Sequence, residues 1–324
     1  MGTTAMSLIA CSTSTSLTDS AAATSQEATA ATVTVEDNYG VHTVPSPPQR
    51  VVSTDNRSFE TLNQWGVTLL AVPKPVVPYT IESYKKDDAI VDLGSHKEPN
   101  LEALVAAQPD LVISGQRFAK YHDEIAMLNP GVVVVDFEPR QEQPLDKELI
   151  RQTLALGEIF GKHNEAKKLV EDFEKSIERA KKAYNGTDTV MAVNVSGGKI
   201  GYIGPKVGRT FGPVFDILNL TPALDVKDAS SNHEGDDISV EAIAESNPAW
   251  IFVMDRDGAI AAGKGEQFSP AEQVVKNNVA LAKVSAVAEN KMIFAPTDTY
   301  FNEGIITYTR IFNKIADAFE TANK

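Results

Sequence analysis

Cysteine is almost missing from this chain. The single Cys11 cannot form an internal disulfide, so the fold must rest on its packed core. Positive charge is also short: 30 Lys and Arg stand against 44 Asp and Glu, a net charge of −14, with no basic cluster. That balance argues against nucleic acid and against adsorption to an anionic membrane surface. No segment approaches the roughly 20 apolar residues of a membrane span. The histidines, at 42, 96, 122, 163 and 233, include no pair at zinc-ligand spacing, and the first four read as solvated surface residues. There is no GxSxG elbow and no HExxH pair. The segment GAIAAGKG (258–265) ends in Gly265 where a phosphate loop needs Ser or Thr, so it reads as a flexible turn. SGGKIGYIG (196–204) has the wrong glycine spacing for a dinucleotide. Hydrolase and nucleotide chemistry therefore lack their usual residues.

A repeat is present instead. Residues 100–117 read NLEALVAAQPDLVISGQR and residues 239–256 read SVEAIAESNPAWIFVMDR. In each copy a Glu (Glu102, Glu241) is followed seven positions later by Pro and eight positions further by Arg (Arg117, Arg256). The pattern is a short helix, a Pro-marked turn, a buried strand and an Arg past the strand's C-terminal end. In open α/β sheets that end is where ligands bind. Two such units imply two lobes, each offering a cation to whatever lies between them.

The rest of the chain fits this plan. VTVEDNYGVHTV signals a hairpin. Continuous apolar runs at 50–55, 68–72, 110–114 and 132–137, and again at 190–196, 250–254 and 291–295, indicate strands covered on both faces, hence mainly parallel sheets. Between the two sets, a helix over about 147–160 stops at Gly161. A second runs from Asn164, placed to cap it, to Tyr184, with Gly186 as its stop. The expected architecture is α/β, with two Rossmann-like lobes joined by a long α-helix that limits their relative motion. Its parts are a tether at 1–32, lobes at 33–146 and 187–324, and a helical linker at 147–186. Leu8-Ile9-Ala10-Cys11 has the form of a bacterial lipobox. Of the 21 residues that follow, 17 are Ser, Thr or Ala, a composition that cannot start a core and makes a tether. Residues 1–10 lack the basic start and long apolar stretch of a full signal peptide, so a remnant is expected there.

Arg209, in the loop GPKVGRTFGP, joins Arg117 and Arg256 as a cation at a loop after a strand. Together they would place about three positive charges in a cleft. Each would contribute roughly 4 kcal/mol to an anionic oxygen about 4 Å away, before desolvation is counted. Guanidinium also stacks on aromatic rings. A large, trianionic, aromatic ligand would use both properties. His233 lies in a polar loop, and Tyr300 lies in TDTYFNEG after the last strand, where by itself it reads as a half-buried loop aromatic. A phenolate suits Fe³⁺ and imidazole is an acceptable partner.

On these segments, together with the Pro-x-Arg-Val-Val, PKPVVPY and GSHKEPNLEAL stretches, the chain resembles class III substrate-binding proteins of iron–siderophore ABC importers. The likeness is to the branch that takes catecholates of the enterobactin and petrobactin type. The resemblance implies the class III substrate-binding fold and no catalysis. It implies no intrinsic cofactor, Fe³⁺ being carried only as the siderophore complex. It places three cleft arginines on Arg117, Arg209 and Arg256, and iron donors on His233 and Tyr300 for siderophores that supply four oxygens. Glu102 and Glu241 become the permease-docking carboxylates, and Cys11 the lipidated residue. The implied protein is a monomer, lipid-anchored outside the cytoplasm of a bacterial cell, with ferric catecholate siderophore and ABC permease subunits as partners. Haem or cobalamin capture on the same fold is the alternative. Met191, Met254 and Met292 lie inside strands and read as core, which counts against haem. A siderophore-processing enzyme is the reading from another class.

Overall fold

Apolar runs without alternation need cover on both faces, and two sheets supply it in the computed structural model of the chain, which describes residues 1–2 and 31–324. Cys11 and most of the tether lie outside the described residues. The first sheet has five parallel strands, in the order Val91–Asp92, Leu69–Val72, Val51–Ser53, Leu111–Ser114, Val133–Asp136. The chain builds outward one way from Val51–Ser53 and then crosses to its other side. The C-terminal ends of Val51–Ser53 and Leu111–Ser114 therefore flank a topological switch point. The second sheet is mainly parallel: Thr189–Ser196 lies between Lys199–Ile203 and Trp250–Asp255, with Met292–Phe294 beyond the latter. Its switch point lies between Thr189–Ser196 and Trp250–Asp255.

Both copies of the repeat fold alike. Asn100 caps the helix Leu101–Ala106 by accepting from Ala103 N at 2.9 Å, and Ser239 caps Val240–Ser246 by accepting from Ala242 N at 3.1 Å. Gln108 and Asn247 then take left-handed φ values of 49° and 41° just before Pro109 and Pro248, which turns the chain into the strand.

The linker is two helices, Leu145–Ile159 and His163–Ala183. Its side chains serve both cores: Leu156, Ile159 and Ala166 join that of the first sheet, while Leu149, Phe173, Ile177 and Ala180 join that of the second. The two helices approach so closely that a Cβ on Gly157 would lie 2.6 Å from the Ala166 Cβ. The longer helix also packs along the C-terminal helix Ile305–Ala322, with Phe173 and Phe312 centroids 5.8 Å apart. This shared burial is what ties the lobes at the back.

Several expectations are corrected. The longer linker helix begins at His163 with Lys162 in the capping position, so Asn164 is already inside its first turn. The segment 258–265 is not a flexible turn but most of the helix Arg256–Lys264. Asp255 starts it by accepting from Gly258 N at 2.7 Å, and Gly265 ends it in the left-handed region. Gly197-Gly198 is the turn of a hairpin whose second strand, Lys199–Ile203, the glycines concealed. His122 is buried and stacks on Tyr39 at 3.6 Å, and His42 is half-buried, its Nε2 2.9 Å from Asp37. Neither is a solvated surface residue.

Because Phe173 fills the seam between linker, second sheet and C-terminal helix, Phe173→Ala is expected to cost about 3–5 kcal/mol. Its urea midpoint should fall well below that of the exposed Glu171→Gln, which should stay within about 0.5 kcal/mol of wild type.

Candidate binding site

The switch points deliver the site. Past Leu111–Ser114, Gln116 takes a left-handed φ of 43° and opens a short 3₁₀ turn, Gln116–Tyr121, that carries Arg117. Past Trp250–Asp255, Arg256 is the first residue of its helix, and its Nη1 donates to Ser196 Oγ at 2.8 Å across the switch point. Arg209 comes from the loop after Lys199–Ile203, where Lys206 and Thr210 both have positive φ. Tyr300 lies on the 3₁₀ turn Thr299–Phe301.

These four side chains meet. The guanidinium carbons of Arg117, Arg209 and Arg256 lie 4.9, 4.5 and 5.1 Å from the centre of the Tyr300 ring. Arg117 and Arg209 also donate to the Tyr300 carbonyl at 2.9 and 2.8 Å. Tyr300 is buried rather than half-buried, 6% exposed. Burial alone would raise its phenol. Hydrogen bonding from Arg256 and the charges of Arg117, Arg209 and Arg256 outweigh that and bring it below the usual tyrosine range. The phenol therefore gives up its proton more readily than an ordinary tyrosine. Burial, and then the charge of Arg209, lower Arg117 itself. The Nε donors of Arg117 and Arg256 are buried without a partner, so the cluster holds unspent donors directed at no protein acceptor.

The expected surplus of three charges is smaller in fact. Arg209 is bound by Glu303 at 2.6 Å, and that carboxylate is 2% exposed. Glu303 also accepts from Thr210 Oγ1 at 2.6 Å and from Gln116 Nε2 at 2.9 Å. Burial opposes its charge, but Arg209 and Arg57 hold the carboxyl down at about 2. Arg57, from just past Val51–Ser53, donates to the Glu303 carbonyl at 2.9 Å and stands 3.4 Å from Glu138. Among the described residues Arg256 has only the exposed Glu234 as a carboxylate partner, at 3.7 Å. Among the described residues Arg117 has no carboxylate within ion-pair distance. Glu303 and Arg57 are not among the residues that the sequence pattern singles out. Glu303 stood in the TDTYFNEG segment, but nothing there says that its carboxylate turns inward.

His233 is on an exposed loop, its side chain 55% accessible and its carbonyl held by Asn194 Nδ2 at 2.9 Å. Partial burial, then the charge of Arg256, keep the imidazole below its usual range, so it is neutral at pH 7 with a lone pair to offer. Arg117 and Arg209 act on it as well, so His233 and Tyr300 share the same three cationic neighbours. Glu102 and Glu241 lie apart from this cluster, exposed in the first turns of the two repeated helices.

Arg117 and Arg209 line a cavity of about 970 Å³ whose walls come from both lobes, including Gln116, Glu138, Lys206 and Ser231. Arg256 lines a second hollow of about 430 Å³ with Gly198 and Phe268. Among the described residues no three His, Cys, Asp or Glu side chains gather as a metal cage, and no helix is long and apolar enough to cross a membrane.

Two α/β lobes with mainly parallel sheets, a helical connection and a cationic cleft between them define a class III substrate-binding protein. The chain belongs to the periplasmic binding protein family, which matches residues 51–299. It is 30% identical over 284 residues to the petrobactin-binding protein YclQ of Bacillus subtilis, covering 86% of this chain and 84% of that one. It is 29% identical over 271 residues to the ferric-anguibactin-binding protein FatB of Vibrio anguillarum, covering 83% and 81%. The crystal structure of YclQ superposes with a TM-score of 0.75 at 26% identity, covering 90% of this chain and 99% of that one.

Spectrophotometric titration should find one tyrosine ionising below the usual pH of about 10. That step should vanish in Tyr300→Phe, since burial raises Tyr84, Tyr202 and Tyr308. Glu303, depressed from 4.5 to about 2, stabilises the fold fully above pH 4.5 and loses that contribution as pH falls toward 2. Glu303→Gln should therefore cost about 3–5 kcal/mol at pH 7, and this deficit should shrink on acidification through that window in denaturation curves.

Proposed function

We propose that this chain is the extracytoplasmic receptor of an ABC importer, and that it holds a ferric catecholate siderophore in the cleft between its lobes. The observation that carries the reading is the caging of Tyr300 by three guanidiniums, two of which keep buried, unpartnered donors. Catecholate complexes of Fe³⁺ are anionic and aromatic, and guanidinium both pairs with and stacks on such surfaces. The names of the relatives YclQ and FatB, petrobactin-binding and ferric-anguibactin-binding, support iron–chelate cargo. When the siderophore supplies four oxygens, Tyr300 and His233 complete the coordination. The lowered phenol supplies an anionic oxygen and the neutral imidazole supplies a nitrogen. Binding is then a matter of charge and donor completion, with no bond of the siderophore broken.

In this reading residues 1–32 are the tether, 33–146 and 187–324 the lobes, and 147–186 the linker. Cys11 carries the acyl anchor, and the exposed Glu102 and Glu241, one per lobe, dock on cations of the permease while the receptor acts as a monomer. Their place at helix N-termini is also favourable to the helices themselves.

Titration with a ferric bis-catecholate is expected to saturate at micromolar ligand and to shift its charge-transfer band, and Tyr300→Phe should abolish the shift. Arg256→Ala should weaken a trianionic ferric catecholate about 10- to 100-fold while barely changing a neutral ferric hydroxamate. Equal loss for both would make the Arg structural. Saturation by haem with no response to catecholate would overturn the reading.

A further inference from the structure

Among the described residues Phe268 is the only exposed phenylalanine, 42% accessible. A single exposed ring is ordinary on a protein surface. What sets this one apart is how firmly it is held beside Arg256. Phe268 lies in the loop that follows the helix Arg256–Lys264, and that loop is anchored at both ends. Glu266 N donates to the Ala261 carbonyl at 3.0 Å, and Ala271 N donates to Asp255 Oδ2 at 2.9 Å. The same Asp255 carboxylate caps the helix that Arg256 opens. The ring itself lies against the first turn of this helix: a Cβ on Gly258 would come 2.9 Å from its Cε2, so a glycine there leaves the ring its room.

Phe268, Ile260, Ala261 and Arg256 line the hollow of about 430 Å³. An apolar cavity of roughly 150 Å³ already admits benzene, so one substituted ring fits here. Arg256 belongs to both places, because its guanidinium carbon also stands 5.1 Å from the centre of the Tyr300 ring and its Nε is buried without a partner. The two carboxylates at the hollow are already engaged. Asp257 accepts from Gly197 N and Gly198 N, both at 2.8 Å, and Glu266 stands 3.8 Å from Lys264. They disfavour an anionic oxygen in the hollow itself but not the carbon face of a ring. A catecholate entering it would lay its carbons on Phe268 and turn its oxygens back toward the arginines. We propose that this hollow is a subsite for an aromatic ring of the cargo, and that Phe268 is a specificity-determining residue that stacks on that ring beside Arg256. This rests on reading the cleft as the site of a ferric catecholate. Aromatic pairs contribute beyond the area they bury, and a guanidinium beside the ring adds its own attraction. A chelate built from aliphatic donors has nothing to place there, so the subsite selects for aromatic chelates.

The test compares wild type, Phe268→Ala and Phe268→Tyr, each titrated with the ferric complex of a linear bis-catecholamide. Phe268→Ala should raise Kd about tenfold, and Phe268→Tyr, which keeps the ring, should stay within about twofold of wild type. With the diamagnetic Ga³⁺ complex of the same ligand, nuclear Overhauser contacts should join catechol ring protons to a phenylalanine ring. Those contacts should vanish in Phe268→Ala. A Phe268→Ala Kd equal to wild type overturns the proposal, as does a bound Ga³⁺ complex that shows no contact to Phe268. A Phe268→Tyr protein that melts like wild type yet binds as weakly as Phe268→Ala overturns it too. Failure of wild type to bind either complex is a different result: it removes the reading of the cleft, and the subsite with it.

Discussion

The buried Glu303 carboxylate is where the two lobes are made to agree. Arg209 and Thr210 reach it from the second lobe and Gln116 from the first, while Arg57 of the first lobe takes its backbone carbonyl. A carboxylate almost out of contact with water is costly unless every oxygen is engaged, and removing one partner leaves a charge stranded. That cost pins the 297–303 loop, with help from Asn56 on the Phe301 carbonyl and Thr80 on Asp298. Glu60 extends the same grip, accepting from Asn302, Thr307 and Arg310. Tyr300 lies in the middle of the pinned loop, so its position follows from the satisfaction of its neighbour.

Once Glu303 has taken Arg209, the charge left for a ligand belongs mainly to Arg117 and Arg256. The three guanidiniums can stand round one ring because its face attracts each of them and because one of their charges is already compensated. A cluster of uncompensated buried cations would repel itself; burial first, and then the charge of Arg209, lower Arg117. The residual charge and the unpartnered Nε donors of Arg117 and Arg256 make this part of the cleft electropositive. The linker contributes in the opposite sense: by burying side chains in both cores it holds the back of the lobes together, leaving the front as the place where a ligand can act on their separation.

The repeat was legible because it is written in residues with strong local consequences. Asn100 and Ser239 cap, Pro109 and Pro248 turn, and the apolar runs between Pro and Arg can only be covered strands. The helices of the linker were legible for the same reason, to within a few residues at their starts. Glycine misled at one point: the glycines of 258–265 read as a flexible turn although Asp255 nucleates a helix through them. His122 misled as well, because stacking on Tyr39, 83 positions away in sequence, cannot be seen from either residue.

Which residue types end the strands, and hence that two arginines stand at equivalent points of two sheets, is settled by the sequence alone, since strand, turn and cap are short-range matters. Charge compensation is not. Whether Arg209 is free or bound depends on where Glu303, 94 positions later, turns its carboxylate. Whether Tyr300 is a surface ring or a caged phenol depends on three loops from both lobes meeting over it. Those are long-range contacts in a medium of low dielectric, where energies are large and depend on distances no local pattern encodes. The sequence carried the cations to the cleft; the tertiary structure decided which of them remain to meet a ligand.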